Sequence, residues 1–135
     1  MGARWNSPGH GVVYTCANLS LAVLEIYVHI PGALRLNVPD FEAVRLSIPD
    51  NVSTTRISAG ELEAMLAAPD PLTACRSVGD NWIAAARDLI LAAPSVVVPE
   101  ELNLMLNPAH PRMRDVIILS TRRFRFDARQ LTAPH

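Results

Sequence analysis

The order of apolar and polar residues predicts short strands mixed with helices. The run GVVYTC (residues 11–16) follows a Pro-Gly turn and is rich in β-branched residues, which indicates a strand. The next run, NLSLAVLEIYVHI (residues 18–30), is apolar on nearly every helical face, with Asn18 or Ser20 available as an N-cap and a Pro-Gly stop behind it. A helix that is apolar all round is normally buried. We therefore expect a buried helix directly after the first strand.

The middle of the chain predicts another strand and two more helices. FEAVRLSI (residues 41–48) alternates as a strand does and ends at a Pro-Asp turn. Ser58 and Glu61 have the spacing of a capping box, which predicts the start of a short helix. GDNWIAAARDL (residues 79–89) predicts the start of a further helix, with Asp80 placed as its N-cap.

The last third of the chain predicts mainly strands. LILAAPSVVVP (residues 89–99) is strand-like, but Pro94 has no N–H for a ladder, so the run must bend there. DVIILS (residues 115–120) and FRFDAR (residues 124–129) predict the final strands. Because helices and strands do not alternate regularly, we expect an α+β fold with a mixed β-sheet core and flanking helices.

Composition limits the chain to one domain and a few function classes. The 135 residues, half of them hydrophobic, suit a single domain over residues 1–135. A net charge of −1 argues against a surface built mainly for nucleic acid. Cys16 and Cys75 have no metal-ligand spacing, and no signal peptide opens the sequence, so a reduced, cytoplasmic protein that does not enter the membrane is expected.

Glu25 is the one formally charged residue between Thr15 and Leu34. Burying an unpaired carboxylate costs several kcal/mol, on the order of the penalty for an isolated interior charge, so Glu25 either pairs with an arginine at a helix rim or lines a pocket. His29 lies four residues further along the same helical face. No third metal ligand is near in sequence, and His10 and His110 lack a recognisable spacing, so no metal site is expected.

Other polar residues interrupt apolar runs or flank them. Ser95 either satisfies a local backbone group after Pro94 or points into a cleft. The planar guanidinium of Arg4 suits a phosphate or carboxylate, unless Arg4 is a solvated terminal residue. Tyr14 offers an aromatic ring with one polar hydroxyl. TRRFRF (residues 121–126) either contacts nucleic acid or forms a solvated strand face over a phenylalanine core, and we favour the second. Together these residues suit a phosphorylated, ribose-containing ligand.

Several blocks of the sequence, in this order, resemble the RES domain, a family of toxins from bacterial toxin–antitoxin pairs. The blocks are RWNSPG, YT, LE, GDNW, PSVVVPE and NPAHP. The resemblance implies a fold similar to that of ADP-ribosyltransferase toxins. It also implies cleavage of NAD+ between nicotinamide and ribose by phosphorolysis or hydrolysis, with inorganic phosphate as a candidate co-substrate and no cofactor. A protein ADP-ribosyltransferase using the same pocket, and an inactive truncated remnant that only binds an antitoxin, are the alternatives.

The resemblance also assigns roles to individual residues. Arg4 would bind the pyrophosphate, and Tyr14 would pack against nicotinamide or ribose. Glu25 would stabilise the positive charge that develops on the ribose, and Ser95 would hydrogen-bond the ligand or the acceptor. Asn103 matches a further substrate-binding position.

Partners follow from the same resemblance. It implies a helix-turn-helix (Xre-type) antitoxin whose tail fills the pocket, a homodimer or a larger toxin–antitoxin complex, and no direct nucleic-acid binding by this chain. Members of the family usually carry a leading segment with a strand and a further phosphate-binding arginine, where this sequence has only Met1, Gly2 and Ala3. The chain is therefore expected to be an N-terminally short member.

Overall fold

The computed structural model describes residues 2–127 and 129 of the chain, apart from the side chain of Leu36. Within them three α-helices and six strands are formed, together with short 3-10 segments at Gly32–Asn37 and Pro111–Asp115. The α+β class predicted from the sequence is confirmed. In chain order the elements are β1 (Val13–Cys16), α1 (Leu19–His29), β2 (Phe41–Ser47), β3 (Thr54–Arg56), α2 (Ala59–Leu66), α3 (Pro71–Ala85), β4 (Ile90–Pro94), β5 (Leu102–Leu106) and β6 (Ile117–Phe124).

The strands form a mixed four-stranded sheet and a separate two-stranded ribbon. The sheet has the order β1-β5-β4-β3, in which β3 and β4 are parallel and the other neighbours antiparallel. The parallel pair is joined through α2 and α3, which supply the long crossover that parallel strands need. The ribbon pairs β2 with β6 and has an irregular register between Arg45 and Leu46. The short strands β3 and β5 were not predicted from the sequence.

The sheet carries a hydrophobic core on each face. Alternate residues of β4 face opposite sides, so Leu91 and Ala93 join the cluster beneath α2 and α3 while Ile90 and Ala92 join the cluster on the other face. This explains why the sequence of β4 is continuously apolar, because a central strand that is covered on both faces has no side exposed to water. Trp5, from the N-terminal loop, lies in the first cluster at 3% exposure.

Two helix starts were predicted correctly and one was wrong. Asn18 caps α1 by accepting from the Leu21 N–H, and Ser58 caps α2 by accepting from the Glu61 N–H. Helix α3, however, begins at Pro71 with Asp70 as its N-cap, so Asp80 lies inside the helix and caps nothing. The first turns of α3 carry polar residues among the apolar ones, which weakens the helical spacing of apolar residues, although Asp followed by Pro is a recognised signal for the start of a helix.

Helix α1 has the predicted bounds but not the predicted burial. Of its residues only Leu21 is buried, whereas Leu19 and Val28 are 45% and 46% exposed. The helix packs over one end of the sheet, beside β1, and most of its circumference is left uncovered in the single chain. Ile118 of the ribbon is likewise 63% exposed, so the described surface has two apolar regions.

The final strands differ from the prediction in their extent. β6 is one continuous strand that reaches Phe124, and residues 125–127 follow it without strand structure; Ala128 of the predicted segment lies outside the described residues. The rings of Phe124 and Phe126 pack edge to face at 5.5 Å, and Arg125 pairs with Asp40. These contacts match the solvated strand face over phenylalanines that the sequence favoured. No helix in the described part of the chain is long and apolar enough to cross a membrane.

Candidate active site

The carboxylate of Glu25 is held at one oxygen and open at the other. Ser95 Oγ donates to Glu25 Oε1 at 2.6 Å, and Asn103 Nδ2 donates to the same oxygen at 2.9 Å. Among residues 2–127 and 129, no donor reaches Oε2 and no arginine forms an ion pair with Glu25. Of the two sequence-based alternatives, the structure therefore realises the pocket acid and not the arginine-paired rim carboxylate.

Glu25 borders a mainly apolar groove of about 490 Å³. Its walls are formed by Glu25, Ile26 and His29 of α1 and by side chains between positions 30 and 41. His29 Nδ1 lies 2.6 Å from the backbone carbonyl oxygen of Glu25, so this ring contacts the helix backbone. The described residues contain no cluster of three metal-ligating side chains. A groove of this volume, with one carboxylate at its edge, suits part of a small organic ligand.

Ser95 is buried and its hydroxyl is fully used. The residue is 1% exposed, and its Oγ accepts from the N–H groups of Val97 and Val98 at 3.0 and 3.1 Å while donating to Glu25. A hydroxyl has one proton and two lone pairs, so no capacity is left for a ligand. This geometry favours a positioning role for Ser95 over the ligand contact implied by the resemblance. The bend after Pro94 creates this turn.

Asn103 joins Glu25 to a cysteine that was not singled out from the sequence as a site residue. Asn103 Oδ1 accepts from Cys16 Sγ at 3.2 Å, and the two residues are direct cross-strand partners on β5 and β1. Burial, and then the negative charge of Glu25, raise the pKa of the Cys16 thiol. The thiol is therefore protonated at neutral pH and can donate.

The N-terminal loop fixes Tyr14 by its hydroxyl. The Tyr14 hydroxyl donates to Asn6 Oδ1 at 2.5 Å and accepts from the Trp5 N–H at 3.1 Å. Asn6 is 4% exposed and also bonds Ala3 and His10, so it organises the whole loop. The ring of Tyr14 remains 43% exposed. Tyr14 thus presents a fixed flat surface, and its hydroxyl is already paired.

Arg4 directly precedes Trp5, whose N–H donates to the Tyr14 hydroxyl. Burial raises the pKa of Tyr14, and the Trp5 N–H and the positive charges of Arg76 and Arg4 act against that shift. The guanidinium of Arg4 makes no hydrogen bond or ion pair with any residue described in the structure. It is available to pair with an anionic group of a ligand.

Helix α3 fastens the loop that carries Arg4. A Cβ on Gly79 would lie 1.7 Å from the carbonyl oxygen of Trp5, so only glycine allows this contact. Two residues after Trp5, Ser7 donates its N–H and its hydroxyl to Asp80 at 2.9 and 2.6 Å, and these bonds lower the pKa of Asp80. These anchoring roles were missed from the sequence, although the Gly-Asp pair stands in the GDNW block.

The five residues predicted from the sequence form two groups on one face of the sheet. Ser95 and Asn103 both donate hydrogen bonds to Glu25 Oε1. Tyr14 precedes Cys16 by two residues on β1, so its side chain lies on the same face, about 7 Å along the strand. Arg4 is joined to Tyr14 through its neighbour Trp5, whose N–H bonds the Tyr14 hydroxyl. The site therefore combines an open carboxylate, an exposed ring and an unpaired guanidinium.

Comparison with known proteins identifies the family. The family model described as RES domain matches residues 1–127. The chain belongs to the RES domain family. This RES domain is 35% identical over 133 residues to the Prs ADP-ribosylating toxin of Sphingobium sp. (strain YBL2), which covers 96% of this chain and 81% of that protein.

Two further relatives carry the name Toxin Res. The protein from Photorhabdus laumondii is 35% identical over 107 residues, which is 79% of this RES domain chain and 67% of the relative. The protein from Yersinia enterocolitica is 35% identical over 109 residues, covering 81% of this chain and 70% of the relative. The family resemblance expected from the sequence is confirmed.

Proposed function

We propose that this RES domain is the toxin of a bacterial type II toxin–antitoxin pair and breaks the bond between nicotinamide and ribose in cytoplasmic NAD+. The observation that carries the proposal is the Glu25 carboxylate, held at Oε1 by Ser95 and Asn103 and open at Oε2 beside a groove. The relatives support the choice of substrate, because one of them is named an ADP-ribosylating toxin and ADP-ribosyl groups are drawn from NAD+.

The open carboxylate suits the electrostatics of this reaction. When the C1′–N bond breaks, its electron pair leaves with nicotinamide, and positive charge develops on C1′ and the ring oxygen of the ribose. Glu25 Oε2 stabilises that charge or accepts a hydrogen bond from a ribose hydroxyl, as carboxylates do in glycoside cleavage. The acceptor oxygen then bonds to C1′ and gives up its proton. Nicotinamide leaves as a neutral molecule, so the proposed reaction needs neither a metal ion nor a further cofactor.

Tyr14 and Arg4 bind and orient the substrate in this proposal. The exposed ring of Tyr14 packs against nicotinamide or ribose, and its paired hydroxyl keeps the ring in one orientation. Arg4 makes charge-assisted hydrogen bonds to the pyrophosphate. Ser95 and Asn103 keep Glu25 in place.

Nicotinamide release from NAD+ by the purified protein tests the proposal. Glu25→Gln keeps the size of the side chain but removes its charge, and we expect release to fall by about 100-fold or more, as when a preorganised electrostatic contact is lost. Glu63→Gln, an exposed residue on α2, is the matched control and should leave the rate unchanged. A folded protein whose release is absent, or equal in wild type and Glu25→Gln, contradicts the proposal and favours the inactive antitoxin-binding module.

The product of the reaction identifies the molecule that accepts the ADP-ribosyl group. ADP-ribose 1-phosphate formed only with inorganic phosphate indicates phosphorolysis, and free ADP-ribose indicates hydrolysis. The name of the Sphingobium relative favours protein ADP-ribosylation as the second candidate. Labelled ADP-ribose that becomes covalently attached to protein, with little free product, would establish that alternative.

We also propose a helix-turn-helix antitoxin and self-association as partners of this chain. The exposed apolar side chains of Val28 on α1 and Ile118 on β6 support a partner surface, and Val28 lies on the same helix as Glu25. Co-expression with a helix-turn-helix protein encoded beside it, followed by light scattering, tests both ideas. A mass equal to one chain in both preparations would contradict them.

A further inference from the structure

The orientation of the Asn103 side-chain amide decides whether Asn103 donates a hydrogen bond to Glu25. An amide has a donor end and an acceptor end of nearly the same shape, and rotating it by half a turn exchanges them. In the structure the donor Nδ2 faces Glu25 Oε1 at 2.9 Å. The reversed amide would turn Oδ1 toward the carboxylate, so two acceptors would face each other and the hydrogen bond would be lost.

We propose that Cys16 is a positioning residue for Glu25, because its thiol donates to Asn103 Oδ1 and thereby selects the amide orientation in which Nδ2 bonds the carboxylate. The contact joins Cys16 Sγ to Asn103 Oδ1 at 3.2 Å. A thiol is a weak donor, and here its proton is directed at the oxygen end of the amide, which can only accept. The inference rests on the proposed function of Glu25.

The fold holds the two residues together. Cys16 and Asn103 are directly opposed in the antiparallel pairing of β1 with β5, which fixes the separation of their backbones. The next residue along β1, Thr15, instead donates its hydroxyl to the backbone carbonyl of Leu104 at 2.7 Å. Cys16 is thus the residue of β1 that is linked to Glu25 through hydrogen bonds of Asn103. Ser95 holds the same oxygen independently, so losing the amide weakens the support of Glu25 and does not remove it.

This arrangement predicts an effect on kcat with little effect on KM. Cys16→Ala removes the donor, and we expect kcat for nicotinamide release to fall about fivefold to tenfold, as for one lost hydrogen bond, with KM within about twofold. Cys16→Ser keeps a donor at the same position and should restore most of kcat. Thr15→Val is the matched control on the same strand and should leave kcat unchanged. If Cys16→Ala does not fold, Cys16→Val replaces it, because valine suits a strand.

A double-mutant cycle separates a relay through Asn103 from an independent effect. In an Asn103→Ala background, Cys16→Ala should cause no further loss of kcat, since the residue through which the thiol acts is gone. If the double variant loses kcat by the product of the two single losses, the proposal is overturned. Equal kcat values for wild type and Cys16→Ala would also overturn it, as would a Cys16→Ser variant as slow as Cys16→Ala.

A second readout keeps this inference distinct from the proposed function. If the wild type shows no Glu25-dependent nicotinamide release, the proposed function fails, and the relay is tested by the NMR signals of the Asn103 side-chain amide. Cys16→Ala should shift these signals and Cys16→Ser should return them toward the wild-type position. Signals that are unchanged in Cys16→Ala would show that the thiol does not orient the amide.

Discussion

Replacing Gly79 by alanine should destabilise the protein, although alanine is the better helix former. Gly79 lies within α3, where the exchange would by itself stabilise a helix by up to about 1 kcal/mol. The added Cβ, however, would lie 1.7 Å from the carbonyl oxygen of Trp5 and 2.6 Å from its carbonyl carbon. Both are backbone atoms, so the loop must move by roughly 1.5 to 2 Å to restore an ordinary contact.

That movement disturbs more than one interaction. Trp5 is 3% exposed in the core, its N–H bonds the Tyr14 hydroxyl, and the adjoining Ser7 is held by Asp80. Overpacking of this kind costs about 1 to 3 kcal/mol, and each hydrogen bond that is lost adds about 1 kcal/mol. After the gain in helix propensity, we expect Gly79→Ala to lower the free energy of unfolding by about 2 to 3 kcal/mol.

Urea and thermal unfolding measure this change. For a chain of this size 1 kcal/mol corresponds to about 3 to 4 °C, so Tm should fall by about 8 °C. Gly60→Ala is the control, because nothing lies within 4 Å of its added Cβ on α2, and it should stabilise the protein by up to about 1 kcal/mol. A Gly79→Ala variant as stable as the wild type, alongside a stabilised Gly60→Ala, would refute the reasoning.

Two further predictions concern the same loop. Tyr14→Phe removes the partner of the Trp5 N–H and of Asn6 Oδ1, so the free energy of unfolding should fall by about 1 to 2 kcal/mol, whereas the rate of nicotinamide release should stay within about threefold because the ring remains. Tyr14→Ala should lower the rate of nicotinamide release by more than about tenfold. Equal losses of rate in the two variants would contradict the stacking role. The hydrogen bonds from Ser7 lower the pKa of Asp80, so its stabilisation is complete above the unfolded carboxyl pKa and is lost as pH falls through the lower folded value. The stability difference between wild type and Asp80→Asn, followed by urea unfolding from pH 7 downward, should therefore shrink in acid; a constant difference would contradict this linkage.

Local rules were sufficient for much of the secondary structure. The N-caps of α1 and α2 follow from single residues, Asn18 and Ser58, because a capping side chain bonds an N–H only three residues away. β4 follows from its continuous apolar run. Glu25 was singled out by the sequence itself, since a lone carboxylate in an apolar helix needs a partner or a pocket, but the pattern left those two alternatives open.

The resemblance supplied residues that spacing could not. Asn103 looks like an ordinary polar residue in the sequence, and its assignment depended on the order of the family blocks. Arg4 had been singled out as a group for phosphate or carboxylate, and the resemblance added its pyrophosphate-binding role. The structure favours a positioning role for Ser95 over the ligand contact that the resemblance implies, because its hydroxyl is occupied by Glu25 and by two backbone N–H groups. The apolar residues around Ser95 indicated that its side chain is buried, but they did not indicate which groups it bonds.

The sequence by itself determined where most of the helices and strands form, since those preferences act over a few residues, but it did not predict β3, β5 or the start of α3. Only the tertiary structure decided which side chains meet. Ser95 contacts Glu25 across 70 positions, and Ser7 contacts Asp80 across 73. It also decided that α1 is largely exposed, because burial depends on which elements pack against a helix and not on its own hydrophobicity. Contacts between distant residues depend on strand pairing and helix packing, and no local pattern encodes them.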